Sequence, residues 1–154
     1  MATALSDIFG TSFNPAFGGM PDPAYRPGTN EEFMGAAQRD YFRGKLLDWK
    51  ESLVRESRGT MVSLKSGPMR EADATDRASS ETDWSIELRT RDRQRKLIAK
   101  IDAALRRIEQ GEYGFCEVTG EPISLARLEA RPIATMTVEA QERHERQERV
   151  SRDD

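Results

Sequence analysis

Apolar positions recur at helical intervals over two long stretches, and polar residues fill the remaining turns. In the first, Met34, Ala37, Tyr41, Trp49 and Leu53 fall on one face while Arg39, Asp40, Arg43, Asp48 and Lys50 occupy the rest. Thr29-Asn30-Glu31-Glu32 offers a polar cap with acidic residues for the positive end of a helix dipole, and Gly67-Pro68 ends the pattern. The spacing predicts a helix over about 31–65, with Gly44 and Gly59 as its weak points. A second helix is expected from around 73–76, where Asp and Thr are good N-caps, to Gln110, with Gly111 as its stop. Ile98, Ile101, Leu105 and Ile108 are spaced three, four and three apart, the seam of an antiparallel coiled coil, and Trp84 and Leu88 extend that seam toward the turn.

Beyond Gly111 the texture changes. Residues 111–136, with Tyr113-Gly114-Phe115-Cys116 and Thr119-Gly120-Glu121-Pro122-Ile123, read as a small knob built from turns. Phe115, Ile123, Leu125, Leu128, Ile133 and Met136 are the side chains available to pack it. Thr135 or Thr137 caps a last, mostly solvated helix within 137–154. Residues 1–29, rich in Gly, Pro, Ser and Asn, read as a flexible arm, whose Phe9, Phe13, Phe17 and Tyr25 lack helical spacing but are available to dock on the folded part. The fold class is therefore mainly α: a long coiled-coil hairpin over 30–110 with its tip at about 66–78, the knob, and a C-terminal helix.

Composition narrows the function. Only 36% of the 154 residues are hydrophobic and 33% are charged, which suits elongated solvated helices better than a large round core. A net charge of −3 offers no broad cationic face for nucleic-acid phosphates, so independent sequence-specific DNA binding is not expected. No apolar run approaches the roughly 20 residues that span a bilayer, no membrane association is expected, and a cytoplasmic location follows. With one His, one Cys and no Gly-rich phosphate loop after a strand, no catalytic constellation is evident.

Cys116-Glu117-Val118-Thr119 and Thr137-Val138-Glu139-Ala140 repeat the spacing of a four-cysteine zinc site, two C-x2-C pairs separated by a linker. Only the first thiolate is present. A threonine hydroxyl and an alanine methyl do not replace the others, and His144 adds at best a second ligand, so no zinc is expected and the knob must be held by packing. Cys116 itself is either a reactive thiol or an inert small apolar residue, and the absence of an adjacent Lys or His in sequence favours the second, with Arg127 and Arg131 as the cations that folding can bring near.

Three stretches in order, Asp73-Ala-Thr-Asp-Arg-Ala78, Glu87-Leu-Arg-Thr-Arg-Asp-Arg-Gln-Arg-Lys-Leu-Ile98, and Gly114-Phe-Cys116 leading to Arg127-Leu-Glu-Ala-Arg-Pro132, resemble the DksA family of bacterial RNA polymerase regulators over about residues 33–145. The resemblance implies a hairpin inserted into the secondary channel of RNA polymerase, acting on promoter complexes together with the alarmone ppGpp. It places an acidic tip motif on Asp73, Asp76 and Ala78, and a ppGpp site on Arg93, Leu97, Lys100 and Arg131, with Gln141 where the family has a lysine. Spacing alone leaves the tip open between that role and a plain helix cap on a solvated turn. Arg93 and Lys100 are equally open between phosphate contacts and an ordinary charged helix face. The resulting expectation is a non-enzymatic, monomeric regulator with RNA polymerase as partner, ppGpp as effector and no stably bound cofactor. Two alternatives stand beside it: a helper of transcript cleavage whose tip carboxylates bring magnesium to the polymerase active site, and a coiled-coil adaptor without polymerase contact.

Overall fold

The computed structural model describes residues 24–66 and 74–153. Asp73 of the expected tip, and Phe9, Phe13 and Phe17 of the expected arm, lie outside them. Four helices carry the described chain: α1 (Ala36–Ser66), α2 (Ala74–Gln110), α3 (Leu125–Ala130) and α4 (Val138–Asp153). They fall into two compact units. One takes the chain up to Leu46 and from Ala104 onward, and the other is Leu47–Ala103.

Within Leu47–Ala103 the helices run antiparallel. Lys50 Nζ donates to Asp102 at 2.6 Å and Gln94 Nε2 donates to Glu56 at 3.2 Å, so the α2 partner moves back along the chain as the α1 residue advances. Leu53 and Ile101 are buried between them. The apolar seam is shorter than its sequence pattern suggests. Ile98 and Leu105 are half-buried, and Trp84 (39% exposed) and Leu88 (36% exposed) do not extend it. Toward the turn the half-buried positions are instead Glu87, Thr90, Arg91 and Gln94, so polar side chains replace apolar ones along the interhelical line.

In the other unit the buried stripe of α1 is Gln38, Phe42 and Leu46, one position from the expected Ala37 and Tyr41, which are half-buried. A tyrosine reads as core in a periodicity count, but Tyr41 is only half-buried and its hydroxyl donates to Glu129 Oε1 at 2.7 Å. Phe42 instead meets Tyr113, ring centroids 5.6 Å apart, and Ala104 and Ile108 of α2 are buried in the same unit. Helix α1 starts at Ala36, five residues later than expected, because residues 31–35 form a turn in which Gly35 N–H donates to Glu32 O and Met34 takes a φ of 54°. Helix α2 ends where the sequence places its stop, with Gly111 at φ 75°.

The knob packs on Tyr113, Cys116, Ile123, Leu128, Ile133, Ala134 and Ala140. Of the six residues expected to fill it, Ile123, Leu128 and Ile133 are buried, Leu125 and Met136 are half-buried, and Phe115 is 38% exposed with its ring against Phe33. It is more than turns. Ser124 caps α3 by accepting from Arg127 N–H at 3.3 Å, and Thr137 caps α4 by accepting from Ala140 N–H at the same distance. No described helix is long and apolar enough to cross a membrane.

Candidate functional site

Asp76 lies in the first turn of α2, where the positive end of the dipole favours a carboxylate, and both Asp76 and Ala78 are exposed. One of the expected acidic tip residues is therefore presented to solvent at the start of a helix. Further along α2, Arg93, Leu97 and Lys100 stand at i, i+4 and i+7, which places them on one face. They line a shallow concavity with Arg89, Asp92 and Lys96. Arg93 and Lys100 are exposed, and Leu97 is half-buried beneath them.

Arg89 and Lys96 were not singled out from sequence, although their spacing from Arg93 and Lys100 was visible there. Asp92 stands on the same face and pairs with Arg95 at 3.3 Å, so one carboxylate lies among these cations. The face is thus a strip of four cations and one paired carboxylate over the half-buried Leu97, net positive and able to meet an anion.

The two remaining candidates belong to the other unit. Arg131 is exposed at the C-cap of α3, its backbone N–H on Arg127 O at 2.7 Å. Gln141 is half-buried in the first turns of α4 and its amide donates to Glu145 at 2.8 Å, so the position that would carry a charge is occupied by a neutral group already engaged.

The first half of the zinc-type frame is a closed turn. Cys116 N–H donates to Glu121 O and Gly120 N–H to Cys116 O, both at 2.8 Å, closing a turn around the thiol with Gly120 at φ 73°. The Cys116 sulfur is buried. Burial alone pushes its pKa up, but the Thr119 hydroxyl and the backbone N–H groups of Thr119, Thr137 and Val118 all favour the thiolate and bring it down to about 7. No cation contributes, so neither Arg127, whose Nε donates to Met136 O at 2.8 Å, nor Arg131 plays the part the sequence left open for it.

The donors come from both halves of the frame. Folding therefore brings Thr137 to Cys116 although 20 residues separate them. The ligand set nevertheless does not fit a metal: one thiolate, two hydroxyls and a methyl occupy the four positions, and no group of three or more His, Cys, Asp or Glu is placed to hold an ion among the described residues. A thiol with this surround is expected to ionise with a midpoint near 7, read from thiolate absorbance in the ultraviolet across pH 5–10, and Thr119→Val is expected to raise it. A midpoint at or above 9 would contradict the hydrogen-bond assignment.

Comparison with known proteins covers both parts of the chain. Residues 38–108 match the DnaK suppressor protein DksA, N-terminal domain, and residues 111–146 match the prokaryotic dksA/traR C4-type zinc finger. The RNA polymerase-binding transcription factor DksA of Caulobacter vibrioides is 67% identical over 130 residues, 84% of this chain and 92% of that protein. Its namesake in Escherichia coli (strain K12) is 39% identical over 115 residues, 75% of this chain and 76% of that one. Among solved structures, transcription factor DksA2 from Pseudomonas aeruginosa is similar with a TM-score of 0.71 and 42% identity, over 80% of this chain and 94% of that one.

Proposed function

This chain belongs to the DksA family, and from that premise we propose that it is a non-enzymatic transcription regulator that binds RNA polymerase. It enters the secondary channel with its hairpin tip and changes initiation complexes together with ppGpp. One observation carries the reading: 67% identity, over 84% of this chain and 92% of the relative, to a protein named as an RNA polymerase-binding transcription factor. In this reading the protein acts as a cytoplasmic monomer and touches no specific DNA sequence. Asp73, Asp76 and Ala78 approach the polymerase active site. Arg93, Leu97 and Lys100, together with Arg131, face ppGpp on the polymerase surface, with arginines pairing to phosphate oxygens and Lys100 acting as a point charge. Gln141 supplies no charge to that site. The knob folds without zinc, since three of its four frame positions carry no zinc donor.

The test is transcription in vitro from an rRNA promoter, with and without ppGpp. An Arg93→Ala, Lys100→Ala variant is expected to lose at least tenfold of the ppGpp-dependent part of the effect, on the scale of two charge-assisted contacts of about 1.5–3 kcal/mol each. Both side chains are exposed, so helix content should not change. Equal loss of the ppGpp-independent effect would remove them from an effector site. Shortened transcripts from stalled complexes, dependent on Asp76, would instead support the cleavage-helper reading. Failure to co-purify with core polymerase at moderate ionic strength would leave only the adaptor.

A further inference from the structure

The segment preceding α1 grips the stretch that leads into the Cys116 turn. Met34 sits at φ 54°, a left-handed conformation that a side chain of its size adopts only where the surroundings impose it. Its backbone N–H is held by Gln38 Oε1 at 2.9 Å, and Gln38, 1% exposed, also donates to Gly28 O at 3.2 Å. One buried amide thus ties the loop at two points. The conformation aims the Met34 side chain at Gly114, where a Cβ would stand 2.8 Å from Met34 Cγ and 3.1 Å from its sulfur. Gly114 is itself left-handed at φ 88°, and the next residue, Phe115, meets Phe33 edge to face at 5.4 Å.

These contacts fall on the two residues before Cys116, in the strand-like pair where Ile123 N–H donates to Gly114 O at 2.7 Å and Phe115 bridges Pro122. A second grip closes on α3. Tyr25 packs edge to face on Tyr41 at 6.0 Å and its hydroxyl donates to Glu31. Tyr41 and Lys45 both hold Glu129, Lys45 at 2.5 Å from its carboxylate and 2.8 Å from its backbone oxygen. Arg26 lies 5.9 Å from the Tyr41 ring centroid, so the preceding segment braces the residue that braces α3.

We infer that residues 24–35 form a clasp, keyed by Met34 on Gly114 and Phe33 on Phe115, which takes over from a metal the task of fixing the Cys116 turn. The inference rests on the zinc-free reading of the knob and names what replaces the ion. It is tested by peptide-resolved hydrogen exchange on the full chain. Met34→Gly relieves the backbone and removes the contact, and Phe33→Ala removes the ring pair. Gln38→Leu keeps the volume but cuts both ties. In each, amide protection of Cys116, Gly120 and Ile123 is expected to fall at least tenfold, while residues 90–100 of α2 stay within twofold of the parent. Knob protection within twofold of the parent in all three variants would overturn the clasp. So would a loss spread equally over α2, since the segment would then support the whole chain. A chelator applied to the parent reports separately: loss of knob protection in EDTA would sink the zinc-free reading while leaving the variants to judge the clasp on their own.

Discussion

A Thr119→Cys, Thr137→Cys, Ala140→Cys variant is expected to retain about one zinc ion per chain through dialysis, where the parent protein retains well under one. The reason lies in what the frame has kept. Cys116 is already wrapped by N–H groups of Val118, Thr119 and Thr137, donors that stabilise a thiolate and so lower the cost of deprotonating a ligand. Positions 137 and 140 are buried with Cys116, so thiols introduced there point into an interior that excludes water. Structural zinc in small domains binds with apparent free energies of about 10–16 kcal/mol. A thousandfold excess of free metal over its dissociation constant adds about 4 kcal/mol to stability, and in a chain of this size that raises the melting temperature by roughly 10 °C. Without metal the variant should be weaker than the parent, because the Thr137 hydroxyl that caps α4 is lost and Ala140 is overpacked. The signature is therefore a melting temperature below the parent in EDTA and above it in zinc. Metal that washes out on dialysis would mean that the frame has relaxed away from tetrahedral reach.

That cradle was half legible in the sequence. The C-x2-C spacing exposed the four positions and the missing ligands, because ligand chemistry lives in side chains. The N–H donors that bring Cys116 to about 7 are backbone groups, and nothing in the identity of Val118 or Thr137 announces where their amides point. The same division explains the helices. Gly111 and the Ile101 to Ile108 spacing are local signals and survived folding, as a left-handed stop and a buried seam. Phase along α1 was not local. Gln38 is polar, so a periodicity count passes over it, yet it is 1% exposed because two backbone groups of the preceding loop need its amide. Trp84 and Leu88 misled in the opposite sense: they are apolar at seam spacing, yet exposed. The clasp itself left no periodic trace, since its aromatics contact residues about 80 positions away or lie on an irregular loop.

Asp76→Asn is the second large effect expected, and it separates the two readings that spacing could not. If Asp76 only serves the start of α2, asparagine costs little, since the third residue of the helix lies inside the cap position and loses just the charge–dipole interaction, worth about 0.3–1 kcal/mol at an exposed site. Helix content, thermal stability and polymerase affinity should then change little, and so should regulation. If its carboxylate acts near the polymerase active site, the same neutral, isosteric change removes a charge from a confined, weakly screened setting where it counts far more than in bulk water. The expected outcome is polymerase binding within threefold of the parent, unchanged circular dichroism, and loss of at least tenfold of the effect on an rRNA promoter in vitro. Regulation preserved alongside binding would return Asp76 to the role of a helix start. A fall in binding that matches the fall in regulation would make it a docking contact instead. Because Asp76 is exposed on the first turn of a 37-residue helix, neither result can be ascribed to a damaged core.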